Sequence, residues 1–245
     1  MTLSPSKLTF YDQEVWNTFV KPGEVVEART LKVFGKSTAY DGYAKGIVSG
    51  CFDDHEAFCK AVKAADKAKH GGIYFTLQVI DPRLIGRAFN RLKSAEATTS
   101  DQNVIAYRWL PIDLDPVRPS GIASSDSELK AAIELRNQVA SYVISEHGFS
   151  APIKAMSGNG GHLLFRLPNL SINEGKYFIY NTLVGLSKEF DTDKVTIDTT
   201  VFNPARIWKL YGTTARKGDA VPAGPGREAR PHRMAYIDDL GGHNG

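Results

Sequence analysis

The sequence predicts an α+β protein, and three observations carry that prediction. The second half of the chain runs strand, helix, strand, strand, helix, strand, with short polar or glycine-rich joints. The first hundred residues add a mixed, strand-rich piece around one amphipathic helix. With 245 residues, 42% of them hydrophobic and 23% charged, the chain is long enough to bury a substantial core. No apolar run approaches the length a membrane span needs, and the N-terminus lacks the apolar core of a signal peptide. Two cysteines, Cys51 and Cys59, exclude a disulfide scaffold and a four-cysteine zinc module, and fit the reducing conditions of a cytoplasmic protein.

Each element has a local reason. Residues 27–34 and 43–52 are rich in β-branched and aromatic side chains and read as strands. Residues 53–69 read as a helix, capped by Asp53 or Asp54, with Phe58, Ala61, Val62 and Ala65 on one face and Gly71-Gly72 ending it. Residues 72–80 form a strand, and Asp81-Pro82 opens a short helix carrying Arg87 and Arg91. The polar run 94–103 marks an internal boundary, dividing the chain into an N-terminal α/β module (1–103) and a second unit (104–245) within one integrated core. In that unit 104–114 is a strand, followed by a Pro/Gly loop. A helix over 126–147 follows, with Ser125 and Glu128 at capping-box spacing and a stripe of Leu129, Ile133, Val139, Val143 and Ile144. Strands 153–156 and 162–167 flank the turn 157–161. A helix over 174–190 and strand 195–200 complete the set, with a further strand over 233–237. That order is the split βαβ pattern of ferredoxin-like and RNA-recognition-motif folds.

The net charge of +3 says little, but its distribution says more. From Arg206 to Arg233 seven basic residues face two acidic ones, so the rest of the chain is slightly acidic. Such a strip reads either as a solvated basic tail or as a phosphate-facing surface.

Three segments could carry chemistry. In Pro111-Ile112-Asp113-Leu114-Asp115-Pro116 the two aspartates lie two apart on a strand and therefore on one face. Their mutual repulsion calls for a cation, and hard oxygen ligands suit Mg²⁺ or Mn²⁺; a solvated strand end entering a turn is the plainer reading. In Ser157-Gly158-Asn159-Gly160-Gly161-His162 the glycines allow close approach of a ligand to the backbone, and His162 opens the next strand; an ordinary glycine-rich hairpin fits too. In the third, Asp198 could add a third carboxylate, and Arg206 and Lys209, three apart, would share a face on a helical turn and hold a triphosphate. A solvated basic turn is the alternative there. Tyr107, Trp109, Trp208 and Tyr211 lie beside these motifs and read as core packing or as stacking surfaces for bases. Taken together, carboxylates, glycine turn, histidine and Arg/Lys pair are what two-metal nucleotidyl transfer requires.

At these residues the sequence resembles the archaeo-eukaryotic primase superfamily, in particular the primase-polymerases of bacteria and phages. The acidic–any–acidic motif matches Asp113 and Asp115, the small–any–His motif matches Gly160, Gly161 and His162, and the hydrophobic–Asp motif matches Ile197 and Asp198. The runs YRWLPIDLDPVRPSG, SGNGGHLLF and NPARIWKLYGT are similar to the branch with CRISPR-associated members, over about residues 72–233. The resemblance implies an N-terminal module packed on an RNA-recognition-motif-like palm that acts as a primase and DNA polymerase. It implies that Asp113, Asp115 and Asp198 hold two Mg²⁺ or Mn²⁺ ions. Ser157, Gly160, His162, Arg206, Lys209 and Lys217 would bind the triphosphate of an NTP or dNTP. Arg87, Arg91, Arg216, Arg230 and Arg233 would touch single-stranded or primed DNA, and accessory C-terminal regions, CRISPR or replication proteins are the implied partners. Two other classes stay open: a non-catalytic nucleic-acid-binding module, and a metal-dependent nuclease or replication-initiator nickase, although the sequence has no His-x-His pair.

Overall fold

In a computed structural model, residues 7–40 and 42–242 are described. The chain opens with α1 (Gln13–Phe19), a short helix that the sequence pattern does not announce, followed by β1 (Val26–Lys36), β2 (Tyr43–Phe52) and α2 (His55–Lys67). The Asp54 carboxylate caps α2 by accepting the Ala57 N–H at 2.7 Å, and Phe58, Val62 and Ala65 form its buried face. The predicted strand 72–80 is two strands, β3 (Ile73–Thr76) and β4 (Val79–Ile80). Pro82–Arg87 is a 3₁₀ turn that ends at Arg87, so Arg91 lies beyond it. β5 (Lys93–Ser94) and β6 (Val104–Pro116) come next, and β6 extends through both aspartates. The remaining elements are α3 (Asp126–His147), β7 (Ile153–Met156), β8 (Gly161–Leu170), α4 (Ile172–Phe190), β9 (Val195–Ile197), β10 (Ile207–Lys209) and β11 (Tyr236–Asp239).

Two antiparallel sheets organise these elements, and each borrows a strand from the other half of the sequence. The first runs β10-β3-β1-β2-β5; the second runs β11-β7-β8-β6, with β4 and β9 sharing the far edge of β6. Splitting 72–80 is what permits this exchange: β3 pairs with β1 and β10, while β4 pairs with β6. Gln78 lies between them, and its side chain patches the irregular start of β6. Its Oε1 accepts the N–H groups of Arg108 and Trp109 at 2.8 and 3.1 Å, and its Nε2 donates to the Trp109 carbonyl at 2.9 Å.

The polar run 94–103 is not a loose linker. Thr99 is buried because a buried ion pair on β1 holds it: Glu27 Oε2 accepts the Thr99 N–H at 2.8 Å, and Arg29 binds Glu27 through two bonds of 3.0 Å. Composition alone cannot register that docking, since the anchoring carboxylate lies 72 residues away in sequence.

α3 carries the predicted capping box and ends at Gly148 in the left-handed region (φ 66°). Its buried face differs from the predicted stripe. Ala132, Leu135, Arg136, Val139, Ala140 and Val143 are buried, while Ile144 is exposed. The reason is Arg136, whose guanidinium reaches the Ala155 carbonyl at 2.8 Å and Asp238 at 2.5 Å. That anchor turns the helix, and small residues at 132 and 140 suit a close approach to the sheet. α3 and α4 both pack on β6. Towards the first sheet, Trp109 meets Phe19 of α1 (ring centroids 5.4 Å) and His162 packs tilted against Trp208 of β10 (4.1 Å). No helix among the described residues is long and apolar enough to cross a membrane.

Candidate active site

β6, β8 and β9 meet where the two sheets face each other, and there the chain gathers most of its candidate residues. Asp113 pairs with His162 across β6 and β8, and Asp115 pairs with Thr196 across β6 and β9. The Asp198 N–H donates to the Asp113 carbonyl at 2.9 Å, so the third aspartate is stitched to the first. Asp113, Asp115, Asp198, Ser157, His162, Arg206, Lys209 and Lys217 all line one cavity of about 260 Å³. Tyr74 from β3 and Asn159 also line it; Asn159 sits within the glycine turn but is not among the predicted site residues, and Tyr74 lies outside every motif.

A directional hydrogen-bond chain fixes the histidine. An indole N–H can only donate, so Trp208 Nε1 gives its proton to the Tyr211 hydroxyl at 2.8 Å. Burial pushes the Tyr211 phenol up, which keeps its proton in place. That proton is directed at His162 Nδ1, 3.0 Å away. The ring's other nitrogen, Nε2, stands 3.4 Å from Asp113 Oδ1.

The two β6 carboxylates titrate apart. Burial raises the Asp113 carboxyl, but the His162 imidazole, helped by Lys217 and Arg118, outweighs that and holds it below the usual carboxylate range. The negative charge of Asp113, together with burial, then pushes Asp115 up. Lys217 Nζ lies 3.5 Å from Asp115 Oδ2 and Arg118 lies 3.6 Å from Oδ1. Asp113 Oδ1 is buried with no hydrogen bond. A crowded acidic pair with one unsatisfied oxygen fits a divalent cation. Asp198 is less free: its Oδ1 accepts from Thr200 N and Oγ1 at 2.8 and 2.7 Å. Among the described residues no three acidic, histidine or cysteine side chains stand close enough to hold an ion as they are. Ligation by the full trio therefore takes a side-chain rotation, which the partly exposed Asp115 and Asp198 can make.

The glycine turn is shaped by packing. A Cβ on Gly160 would strike the Leu114 carbonyl of β6 and press on Asp115 Oδ1, and Gly158, at φ 102°, abuts Ala215. The Ser157 hydroxyl accepts the Gly160 N–H at 2.9 Å, so that donor is spent inside the turn.

The expectation that Arg206 and Lys209 share a helical turn is corrected. Residues 207–209 are strand β10, which joins the first sheet because Ile207 and Lys209 register against Thr76 and Tyr74 of β3. Arg206 lies over Thr200, bonding its carbonyl at 2.5 Å, with its Nε buried and unpartnered. Lys209 is buried, and its Nζ donates to Ile73 O, Thr213 Oγ1 and Thr214 O at 3.3, 2.6 and 3.1 Å. Burial pushes this ammonium down to about 7. An unfolded lysine keeps its proton to about pH 10.4, so between those values the unfolded chain binds more protons. Folding stability therefore rises with pH across that window and falls as pH drops through it. Urea titrations from pH 6 to pH 10 are expected to show this rise in the wild type and a flattened profile in Lys209→Met.

The arginines assigned to nucleic acid lie elsewhere. Arg216 pairs with Asp66 at 2.6 Å and lines a neighbouring cleft; Arg230 binds Glu128 through two 2.7 Å bonds; Arg233 bonds Asp126 at 2.5 Å and the Ser124 carbonyl at 2.9 Å. Each thus has an internal carboxylate partner. Arg87 reaches Asn103 at 3.3 Å and lines a separate cavity with Glu27 and Lys93, and Arg91 sits beside Gly50 of β2. No protein-family model matches the chain, and no curated protein is significantly similar to it.

Proposed function

We propose that the protein is a template-directed primase-polymerase that joins nucleoside triphosphates by metal-dependent nucleotidyl transfer. The observation that carries this reading is the convergence of Asp113, Asp115 and Asp198 with His162, Arg206, Lys209 and Lys217 on one cavity. The strand order β7-β8-β6-β9, with α3 and α4 as the two crossovers, supports an RNA-recognition-motif-like palm beneath it.

Asp113 and Asp115, with Asp198 after rotation, would hold Mg²⁺ or Mn²⁺. A bound pair of such ions supplies an activated attacking oxygen and charge neutralisation at the leaving pyrophosphate. The chain's own residues do the positioning. His162 faces the cavity from a ring held by Tyr211 at Nδ1 and packed against Trp208. Lys217, now bridging to Asp115, is two-thirds exposed along its side chain and can swing to a phosphate once a cation satisfies the carboxylate. Arg206 lines the same cavity with its Nε still unpartnered. The DNA strand would be single-stranded or primed.

The test is incubation with a primed DNA template, dNTPs or NTPs, and Mn²⁺. Extension products are expected; strand cleavage alone would indicate a nuclease, and binding without chemistry a non-catalytic module. Cation binding has a separate readout. Mn²⁺ is expected to raise the melting temperature of the wild type by linkage. In Asp115→Asn that rise should disappear, while the metal-free melting temperature increases because a carboxylate crowded by Asp113 has been removed.

A further inference from the structure

Beside the carboxylate cavity lies a larger open cleft of about 790 Å³ that shares Asp115 and Lys217 with it. Lys32, Lys69, His70 and Arg118 line this cleft, and its other carboxylate is Asp219. Lys32 and Lys69 have backbone φ of 53° and 55°, and among the described residues Asn90 is the one other non-glycine residue with positive φ. A left-handed lysine is disfavoured by its Cβ, and glycine would be the unstrained choice at both positions. Both strained residues point their chemistry to the same cleft, and neither has a carboxylate partner among the described residues. Strain kept where a positive charge results is a reason to look for an anion there.

From Lys32 at the cleft, β1 runs on into the β1–β2 hairpin. The bulge between Thr30 and Val33 sends Lys32 outward, and beyond it Phe34 registers against Lys45 and Lys36 against Tyr43. All four side chains are exposed, with Phe34 at 67% and Tyr43 at 54%, and the two rings meet edge-on at 5.9 Å. The hairpin loop is tied to the cleft wall, since the Tyr40 hydroxyl lies 3.3 Å from His70 Nε2. Exposed rings interleaved with lysines that have no carboxylate partner among the described residues suit stacked bases joined by phosphates, which is how single strands are gripped without reading sequence.

We infer that the cleft and the hairpin form one binding track for single-stranded DNA, running from Phe34 and Tyr43 past Lys32 and Lys69 to Asp115. This rests on the polymerase reading for its direction, because the track ends at the catalytic carboxylates. It replaces the internally paired Arg230 and Arg233 as the principal contact surface.

The experiment is fluorescence anisotropy with a labelled oligothymidylate over a series of salt concentrations. Lys32→Gly with Lys69→Gly removes two charges and relieves two strained residues. Its melting temperature is expected to equal or exceed that of the wild type, while binding weakens about tenfold. The salt slope should become shallower by about 1.4, at roughly 0.7 per phosphate contact on a single strand. Phe34→Ala with Tyr43→Ala is expected to weaken binding at least tenfold with little change in that slope. Unchanged affinity and slope in both double variants would overturn the track while leaving the catalytic assignment standing. If the wild type binds no oligothymidylate even at low salt, the polymerase reading itself fails.

Discussion

Replacing Asp113 and Asp115 together with alanine is expected to reduce primer extension at least a thousandfold and to leave single-strand binding intact. A thousandfold corresponds to about 4 kcal/mol of barrier, the scale expected when charge neutralisation at a displaced phosphate is lost. The carboxylates are separable from binding because Lys32, Lys69 and the rings of the hairpin do not lean on them; of the groups lining the cleft, Lys217 and Arg118 lie against Asp115. Folding should survive as well. Asp115 is pushed up by its neighbour and is uncomfortable as an ion, so its removal relieves repulsion. The loss of Asp113 leaves His162 held by Tyr211 on its other nitrogen. Extension assays, anisotropy and thermal melts on the same preparation check the three parts. Wild-type extension by the double variant would remove the metal assignment altogether.

Trp208→Ala is expected to cost about 3–5 kcal/mol of stability, as large-to-small changes at a fully packed aromatic do. Trp208 is 2% exposed, packs against the His162 ring, and supplies the donor that orients Tyr211. It also sits on β10, the strand that the second half of the chain lends to the first sheet. The loss therefore strikes the core and the site together, and a melting temperature lower by roughly 10 °C is expected from the usual size scaling. Tyr211→Phe separates the two roles. It keeps the ring but leaves the indole N–H and His162 Nδ1 unpaired, a cost of about 1–3 kcal/mol. Extension should fall about tenfold or more as the imidazole loses its fixed tautomer, and ¹⁵N chemical shifts of the His162 ring should show mixed protonation. An unchanged ring spectrum in Tyr211→Phe would mean that the hydroxyl does not set the tautomer.

Local signals were readable wherever the cause is local. The span of β2, both ends of α3 and its capping box follow from residues within a few positions of each other, as does the shared face of Asp113 and Asp115 on one strand. The Pro116 end of β6 was less legible, because Asp-Pro reads as a turn, yet pairing with β9 holds the strand straight. The buried face of α3 differs from the apolar stripe because it includes Arg136, whose burial only its distant partner Asp238 makes tolerable.

Alternating apolar pattern, caps and turn residues thus determine on their own that this is an α+β chain and which short motifs carry carboxylates, glycines and bases. Tertiary structure decided the rest: that β10 is a strand rather than a helical turn, that Lys209 is buried, that Arg216, Arg230 and Arg233 are neutralised internally, and that Lys32 and Lys69 front the open cleft. Each of those outcomes depends on a partner many residues away, and the free energy of pairing across such distances is set by how the sheets exchange strands, which no local window of sequence contains.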